Sequence, residues 1–367
     1  MDYRLNNTDS IISPALIYYE EALDRNVEKA LQIAGDSKRL WPHVKTHKTI
    51  EIVSKLLAQK VTKFKCATIA ECEMVARAGA LEILLAYPAV GPNIDRLLNL
   101  KVAFPQVKFY ALFDNLDCLK SMSQKAQALD LMVDYFIDVN VGNDRTGVEM
   151  DKVLDFAKEA LTLPHITLAG LHCYDGQNGI SDLHERERVI AALIAQEREL
   201  LAKLKTLGVD LCVIAGGSPE FSTYAKLSDF YVSPGTLFLQ DNLYRSSFPD
   251  MPYECAACVL SRVISHPKAN YFTLDCGNKA IAADPKIRGV IAGFEDKVEI
   301  ILQNEEHWVF AMKKGFEHLR PKVGEVMYII PNHICPTSAL YPEALLARDH
   351  NIVGSYAIYA RNRRLIY

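Results

Sequence analysis

A lysine ends the segment Leu40–Lys45, and a helical pattern begins soon after it. If this segment is a strand of a parallel barrel, its carboxyl end opens into the shared mouth where barrel enzymes place their sites. A partly desolvated lysine there loses its proton readily and can serve as nucleophile, Schiff-base partner or base. Taken alone, Lys45 could equally be a solvated lysine in a polar turn.

Four further predicted strands also end in polar segments. These segments are Asp138–Gly147, His172–Gln177, Gly216–Pro219 and Ser233–Thr236. The last two provide glycines and hydroxyls in the loops where barrels commonly bind phosphate, because glycine lets backbone N–H groups approach an anion closely. A phosphate cradle, a lysine at a strand end and an arginine that polarises a ring oxygen are together what pyridoxal phosphate requires.

Short apolar runs alternate with amphipathic stretches through the first two thirds of the chain. The runs are Leu40–Lys45, Phe64–Ala67, Ile83–Ala86, Val107–Phe113, Val133–Val139, Ile166–Cys173, Leu211–Ala215 and Phe230–Val232. Helical patterns between them include Ile50–Gln59, Ala70–Ala78, Asn115–Ala128 and Leu183–Leu207. The alternation predicts a closed (β/α)8 TIM barrel of parallel strands. A doubly wound open sheet is the alternative, but no GxGxxG motif follows any run.

The pattern changes near residue 250, where strand-like runs separated by turns replace the alternation. These runs are Val259–Ser265, Tyr271–Asp275, Lys297–Leu302, His307–Ala311, Glu325–Ile330 and Ile352–Tyr359. A further strand, Ala15–Tyr19, and a helix over Glu20–Ala34 precede the barrel. We therefore predict an α/β chain in which residues 20–250 form the barrel, while residues 1–19 and 251–367 form a mainly-β domain completed by the N-terminal strand.

Composition excludes several classes of partner. The chain has 367 residues with 41 basic against 45 acidic side chains, a formal net charge of −4 and no long basic run, which argues against nucleic acid or a membrane surface. No segment resembles a signal peptide or reaches the roughly 20 apolar residues of a membrane span, so we expect a cytoplasmic protein that binds a small metabolite. The nine cysteines, including Cys255 and Cys258, are interpreted as reduced thiols rather than as a disulfide framework or zinc site.

Four segments in order along the chain resemble the D-threonine aldolase and D-serine dehydratase family, whose members are fold-type III pyridoxal phosphate enzymes with the alanine-racemase-like fold. The segments are Pro42–Lys48, Lys65–Glu71, Gly216–Pro219 and Asn332–Thr337. The resemblance implies a role for each matching position. Lys45 would form the Schiff base, Arg145 would contact the cofactor ring, Tyr174 would act in both binding and catalysis, and Gly216, Gly217, Ser218, Gly235 and Thr236 would cradle the phosphate.

The same resemblance implies a divalent metal held by His333 and Cys335, normally zinc, with manganese or magnesium as alternatives. Residues two apart project to the same side of an extended segment, and imidazole and thiolate are natural zinc ligands. The family's members are usually homodimers with their sites near the subunit interface. Their substrates are small D-amino acids.

The reaction implied is that of a lyase on D-β-hydroxy amino acids, and we favour an aldolase that yields glycine and an aldehyde. Many aldolase-like members have a histidine after Tyr-Asp-Gly, a candidate base for the substrate hydroxyl, whereas this chain has Gln177 and Asn178, whose amides cannot take a proton. The histidines nearby in sequence or expected at the mouth are His43, His47, His172 and His184. A zinc-dependent D-serine or D-3-hydroxyaspartate dehydratase is the first alternative. An amino-acid racemase and a non-catalytic carrier of pyridoxal phosphate are the others.

Overall fold

A computed structural model describes all 367 residues. The chain divides into two compact units. Residues 30–45, 50–235 and 362–367 form the barrel unit, and residues 1–29, 46–49 and 236–361 form the β unit. Strand β1 (Ala15–Tyr19) and helix α1 (Glu20–Ala34) have the bounds that the sequence predicts. None of the helices has both the length and the apolar character needed to span a membrane.

The barrel unit alternates strands and helices, as predicted from the apolar runs. Its strands are β2 (Lys63–Cys66), β3 (Glu82–Leu85), β4 (Lys108–Phe113), β5 (Val133–Asn140), β6 (Val148–Glu149), β7 (Ile166–Cys173), β8 (Cys212–Ala215) and β9 (Tyr231–Val232). Its helices are α2 (Ile50–Ala58), α3 (Ile69–Arg77), α4 (Pro92–Ala103), α5 (Leu116–Ala128), α6 (Val153–Ala160), α7 (Leu183–Lys205) and α8 (Phe221–Leu227). The strands pair in parallel in the order β2-β3-β4-β5-β7-β8-β9, with β6 on β5.

The segment Leu40–His43 closes this sheet into a barrel by single bridges to both edge strands. Leu40 pairs with Val232 of β9, and His43 pairs with Lys65 of β2. The predicted strand Leu40–Lys45 is therefore wrong as a regular strand, because Pro42 has no N–H to donate to a ladder and residues Val44–Thr46 turn into a 3-10 helix. Lys45 lies in that turn.

Aromatic residues fill the barrel interior below the turn. Trp41 is buried and makes edge-to-face contacts with Tyr110, Phe136 and Tyr231, at ring-centroid distances of 5.4, 6.0 and 6.1 Å. Such contacts stabilise the packing beyond the area they bury. Trp41 thus fixes the segment that leads to Lys45 against three other strands.

The β unit contains one mixed sheet and two short helices. Its elements are α9 (Asn242–Ser247), β10 (Ala257–Ser265), β11 (Tyr271–Leu274), β12 (Gly289–Ile291), β13 (Val298–Gln303), β14 (Trp308–Met312), β15 (Val326–Pro331), α10 (Ile334–Leu340), β16 (Glu343–Arg348) and β17 (Asn351–Ala357). The order is β13-β14-β11-β10-β1-β16-β17, and β15 pairs with β10 and β12. Strand β1 lies between β10 and β16, so the N-terminal strand completes this sheet as predicted.

Candidate active site

Three cationic side chains of the barrel unit converge on the ring of Tyr174. The Lys45 and Lys65 amines lie 6.0 and 5.7 Å from the ring centroid, and the Arg145 guanidinium carbon lies 4.7 Å from it. Cations are attracted to the face of an aromatic ring at such distances. The structure therefore brings together Lys45, Arg145 and Tyr174, which the sequence analysis places in one site, and adds Lys65.

His43 supports the turn that holds Lys45. It is buried, and its Nδ1 accepts a hydrogen bond of 3.3 Å from the Lys45 backbone N–H. An imidazole nitrogen that accepts this bond has no proton of its own. His43 therefore orients the lysine turn as an acceptor.

The loop that carries Arg145 is fixed by Asn140, the last residue of β5. Its side-chain oxygen accepts hydrogen bonds from the N–H groups of Gly142 at 3.0 Å and Asp144 at 3.1 Å. Gly147 closes the loop with a φ of +110°, and a Cβ there would lie 2.5 Å from the Asn140 nitrogen. Only glycine fits so close an approach.

Gln177 occupies the position where many aldolase-like members have histidine. Its side-chain amide donates a 2.8 Å hydrogen bond to the Val141 carbonyl, so it ties the Tyr174 loop to the Arg145 loop. The neighbouring Asn178 amide lies 3.5 Å from an Asp175 oxygen. Neither amide exchanges a proton near neutral pH, so both hold the loop without supplying a base.

Lys65 is the functional candidate that the sequence analysis missed as an individual residue. It is only 3% exposed, and its amine contacts the Ser233 hydroxyl and, at 3.3 Å, Nε2 of His172. Nδ1 of His172 in turn lies 2.7 Å from Asp138. A charged residue inside a four-residue strand is the signal that could have identified Lys65.

Burial and neighbouring charges determine the protonation states of Lys65, His172 and Asp138. Burial is the main cause that lowers the pKa of Lys65 to about 7, and the positive charges of Lys45 and Arg145 contribute to this shift. It also lowers the pKa of His172, with the charge of Lys65 acting in the same direction. Burial alone would raise the pKa of Asp138, but hydrogen bonds and charge from His172 lower it. Near neutral pH the Asp138 carboxylate is therefore ionised and the His172 imidazole is neutral.

The predicted phosphate cradle is formed by two loops that touch each other. The Ser218 hydroxyl accepts a 3.2 Å hydrogen bond from the Gly235 N–H. A Cβ on Gly217 would lie 2.9 Å from a Glu220 oxygen and 3.2 Å from the Tyr174 ring. Gly216 has a φ of +76°. These loops have glycine backbone and a hydroxyl, and they lie beside the Lys45 and Lys65 amines and the Arg145 guanidinium. They fit an anionic aldehyde such as pyridoxal phosphate.

Substituting Gly235 should damage both the cradle and the fold. A Cβ there would lie 2.8 Å from the His43 carbonyl oxygen, so Gly235→Ala should lower the free energy of unfolding by roughly 1–3 kcal/mol and weaken cofactor binding. Urea unfolding and a cofactor titration would measure the two effects. Gly354→Ala is the matched control, because no atom lies within 4 Å of its added methyl group. Equal behaviour of the two variants would contradict the close packing at Gly235.

Three carboxyl groups are buried beneath the cradle. Asp175, Glu197 and Glu220 have no exposed surface, and Glu220 accepts a 3.0 Å hydrogen bond from the Gly217 N–H. Burial raises the pKa of Asp175 to about 6 and of Glu197 and Glu220 to about 8, and for both glutamates the Asp175 charge adds to the effect. Arg186, also buried, opposes the shift at Glu220. The glutamates are therefore largely protonated at neutral pH.

These raised values predict that stability falls as the solution becomes alkaline. Between the unfolded pKa of about 4.5 and the folded value of about 8, Glu197 binds more protons in the folded state, so its contribution to stability is lost as pH rises through this window. Glu197→Gln should flatten the fall in melting temperature between pH 6 and 9 on the order of a few degrees. The exposed Glu199→Gln is the control. An unchanged slope in the Glu197 variant would contradict the shift.

The predicted metal residues lie in the β unit, but not on an extended segment. His333 caps the N-terminus of α10 and Cys335 is the second residue of that helix, so the extended geometry expected for the pair is wrong. Nδ1 of His333 lies 2.5 Å from Asp284, which leaves Nε2 for a metal. Burial would lower the pKa of His333, but hydrogen bonding and charge from Cys335 and Asp284 raise it to about 9.

Cys335 has hydroxyl neighbours. Its sulfur lies 3.1 Å from the Thr46 hydroxyl and 3.5 Å from that of Thr236. Thr236, assigned to the phosphate cradle from sequence, thus has its hydroxyl beside the cysteine. No group of three or more histidine, cysteine or carboxylate side chains is arranged to hold a metal ion. A metal on His333 and Cys335 would need water or substrate to complete its shell.

The remaining sulfur and histidine candidates have structural environments. Cys255 and Cys258 are buried, and burial raises the pKa of each thiol to about 12, which is typical of unreactive core thiols. Burial lowers the pKa of His47 to about 3, and this ring contacts Thr49. His184 is exposed on α7. We exclude these four residues from the site.

Two parts of the chain match known protein families. Residues 19–242 match the family described as alanine racemase, N-terminal domain, and residues 256–347 match the "Putative serine dehydratase domain". The chain belongs to the alanine racemase N-terminal domain family. The D-threonine aldolase of Arthrobacter sp is 28% identical to this alanine racemase-like chain over 364 residues, which cover 95% of the chain and 92% of that protein.

Two further proteins extend the comparison of the racemase-like chain. The D-threo-3-hydroxyaspartate dehydratase of Delftia sp. (strain HT23) is 23% identical over 93% of the chain and 95% of its own length, and a variant of a dehydratase of this name was solved in a metal-free form. The crystal structure of D-threonine aldolase from Filomicrobium marinum matches with a TM-score of 0.89 at 23% identity over the whole of both chains. The predicted alanine-racemase-like fold, a parallel barrel with a mainly-β sheet, is thereby confirmed.

Proposed function

We propose that this protein is a pyridoxal phosphate-dependent lyase of D-β-hydroxy amino acids, acting as a D-threonine aldolase. The observation that carries the proposal is the convergence of Lys45 and Arg145 on Tyr174 at the mouth of a barrel of the racemase family. Full-length similarity to an aldolase and to a dehydratase supports the lyase class. Bound pyridoxal phosphate supplies an electron sink for the bond that breaks at the substrate's α-carbon.

The residues of the chain divide the remaining work. Lys45 provides the amine that binds the cofactor aldehyde, Arg145 binds the ring oxygen, and the loops of Gly217 and Gly235 hold the phosphate. His43 and Trp41 orient the lysine turn, by a hydrogen bond and by packing respectively. This arrangement fixes the cofactor before substrate arrives, which reduces the entropy cost of reaction.

His333 and Cys335 are proposed to bind a divalent metal, with zinc preferred because imidazole and thiolate are its usual ligands. Asp284 would orient His333 through the 2.5 Å contact with Nδ1. Such a metal would bind the β-hydroxyl of the substrate and increase its acidity. We also propose that the protein is cytoplasmic and that it acts as a homodimer. Sedimentation of the purified protein would test the oligomeric state.

Dehydration is the second candidate, and Gln177 favours it. An aldolase needs a base for the β-hydroxyl proton, whereas a dehydratase needs a base for the α-proton, and Lys45 would provide an amine for that role. Because the Gln177 amide is bonded to Val141 and cannot take a proton, it removes one candidate for the aldolase base. Metal-assisted ionisation of the hydroxyl would supply an aldolase with another route.

Product analysis with D-threonine, pyridoxal phosphate and zinc separates the candidates. Glycine with acetaldehyde is the expected result. Oxobutyrate with ammonia would instead establish a dehydratase, and conversion to an L-amino acid would establish a racemase. L-Threonine is the matched control, since the proposal expects no cleavage of it. No product from D-threonine, D-serine or D-3-hydroxyaspartate would overturn the lyase proposal and favour a carrier.

A further inference from the structure

Lys65 is held in one position by two partners of defined hydrogen-bonding role. The Ser233 hydroxyl donates a 3.1 Å hydrogen bond to the Gly216 carbonyl, so its oxygen accepts from the Lys65 amine. Nδ1 of His172 lies 2.7 Å from the Asp138 carboxylate and must donate to it. Nε2 of a neutral His172 is therefore an acceptor, and it accepts from Lys65 at 3.3 Å.

When Lys65 is protonated, this arrangement uses two of the three hydrogens of its ammonium group. The third hydrogen is held in a fixed direction, because His172 of β7 and Ser233, directly after β9, fix the amine from two sides. The amine is nearly fully buried and lies 5.7 Å from the Tyr174 ring centroid. A buried donor that lacks an acceptor costs free energy, so the position favours a ligand with an acceptor atom.

Pyridoxal phosphate has one acceptor that the proposed site leaves without a partner. Lys45 is assigned to its aldehyde carbon, Arg145 to its ring oxygen and the two glycine loops to its phosphate. The ring nitrogen, opposite the aldehyde carbon, remains. Ser233, the partner of Lys65, immediately precedes Pro234 and Gly235 of the cradle.

We propose that Lys65 donates a hydrogen bond to the ring nitrogen of the bound cofactor. This inference rests on the proposed function, since it requires pyridoxal phosphate in the barrel. A ring nitrogen that accepts a hydrogen bond from lysine carries no proton of its own, so the ring withdraws fewer electrons from the reacting carbon than a protonated ring does. Lys65 thereby tunes the electron demand of the cofactor.

The charges around Lys65 are consistent with this role. Burial and the charges of Lys45 and Arg145 together lower the pKa of the amine to about 7, although the carboxylates of Asp138 and Asp175 oppose this shift. A weakly held proton on Lys65 suits a hydrogen bond shared with a pyridine nitrogen, because such a bond is strongest when the proton affinities of the two groups are similar. His172 stays neutral beside it and remains an acceptor.

The test compares two cofactors that differ in a single ring atom. Equilibrium dialysis would give the dissociation constants of pyridoxal phosphate and of 1-deazapyridoxal phosphate, in which a C–H replaces the ring nitrogen. The wild-type protein should bind pyridoxal phosphate at least roughly tenfold more tightly. Lys65→Met should reduce this preference to less than roughly threefold, because the donor is gone. Comparing the ratio removes any general weakening that the substitution causes.

Lys63→Met is the matched control. Lys63 lies two residues earlier on the same strand and pairs with Glu82 at 2.9 Å, so its loss should leave the preference unchanged. Equal binding of the two cofactors by the wild-type protein would overturn the inference even if Lys65→Met did not fold. A preference that survives in Lys65→Met would also overturn it. Binding of neither cofactor would overturn the proposed function together with the inference.

Discussion

Replacing Lys45 with alanine should remove the visible absorbance band that bound pyridoxal phosphate gives the purified protein. The band arises from conjugation between the cofactor ring and the Schiff base, and no band of this kind forms without an amine. Lyase turnover should fall by at least roughly a thousandfold, because the variant loses the covalent attachment of the cofactor. Absorbance spectra and initial rates measure the two losses.

Borohydride reduction followed by peptide mass spectrometry would locate the cofactor in the wild-type protein. The label should be found on Lys45, which is half-buried beside Tyr174. Lys38→Ala is the control, because this exposed lysine lies earlier in the same part of the chain and should keep both band and activity. An unchanged band in the Lys45 variant that resists borohydride would contradict the assignment of Lys45 as the lysine that forms the Schiff base. Transfer of the label to Lys65 would instead show that the two amines can substitute for each other.

Replacing His333 with alanine should weaken zinc binding by at least roughly a hundredfold and make activity insensitive to added zinc. With only Cys335 left from the pair, a single protein ligand would remain for the ion. Asp284→Asn should have a smaller effect of roughly tenfold, because it alters the orientation of the imidazole and leaves the ligand in place. Metal analysis after dialysis and zinc titrations of activity would give both numbers.

His318→Ala is the control for these variants, since His318 is exposed on another part of the β unit. It should retain the zinc content and rate of the wild-type protein. Full activity in His333→Ala that is still abolished by a chelator would remove the metal role from this residue. A larger loss in Asp284→Asn than in His333→Ala would mean that the carboxylate itself binds the ion.

Local periodicity was sufficient to predict the barrel, because its strands and helices differ clearly in apolar spacing. The same approach failed at α10 for an identifiable reason. The spacing of His333 and Cys335 was interpreted as that of an extended segment, but a helix begins between them. Pro336 is its third residue, and a helix tolerates proline in its first turn because the N–H groups there have no intrahelical acceptor. Strand β12, with three residues, is too short to show a period at all.

The sequence allowed prediction of those site residues that belong to a motif or lie near the end of a strand. Tyr174 directly follows β7, Arg145 lies in the loop after β5, and Lys45 ends an apolar run, so their convergence can be expected from the topology. The role of Lys65 depends on which side chains meet across the barrel, and no local pattern states that His172 is its neighbour. Likewise, only the structure shows that Gln177 ties two loops together.

The segment that closes the barrel is held by few hydrogen bonds, so it should determine where the barrel opens first. Three backbone hydrogen bonds, from the N–H groups of Trp41, His43 and Lys65, join the irregular segment to its neighbours at 2.8–2.9 Å. Lys45 lies two residues beyond this seam, so a ligand that binds to its amine only in the folded state should protect these amides from hydrogen exchange. Without cofactor, the barrel should open locally first at this seam, which would appear as faster hydrogen exchange of these amides. If the proposed cofactor binds at Lys45, its removal should therefore make the purified protein more susceptible to proteolysis.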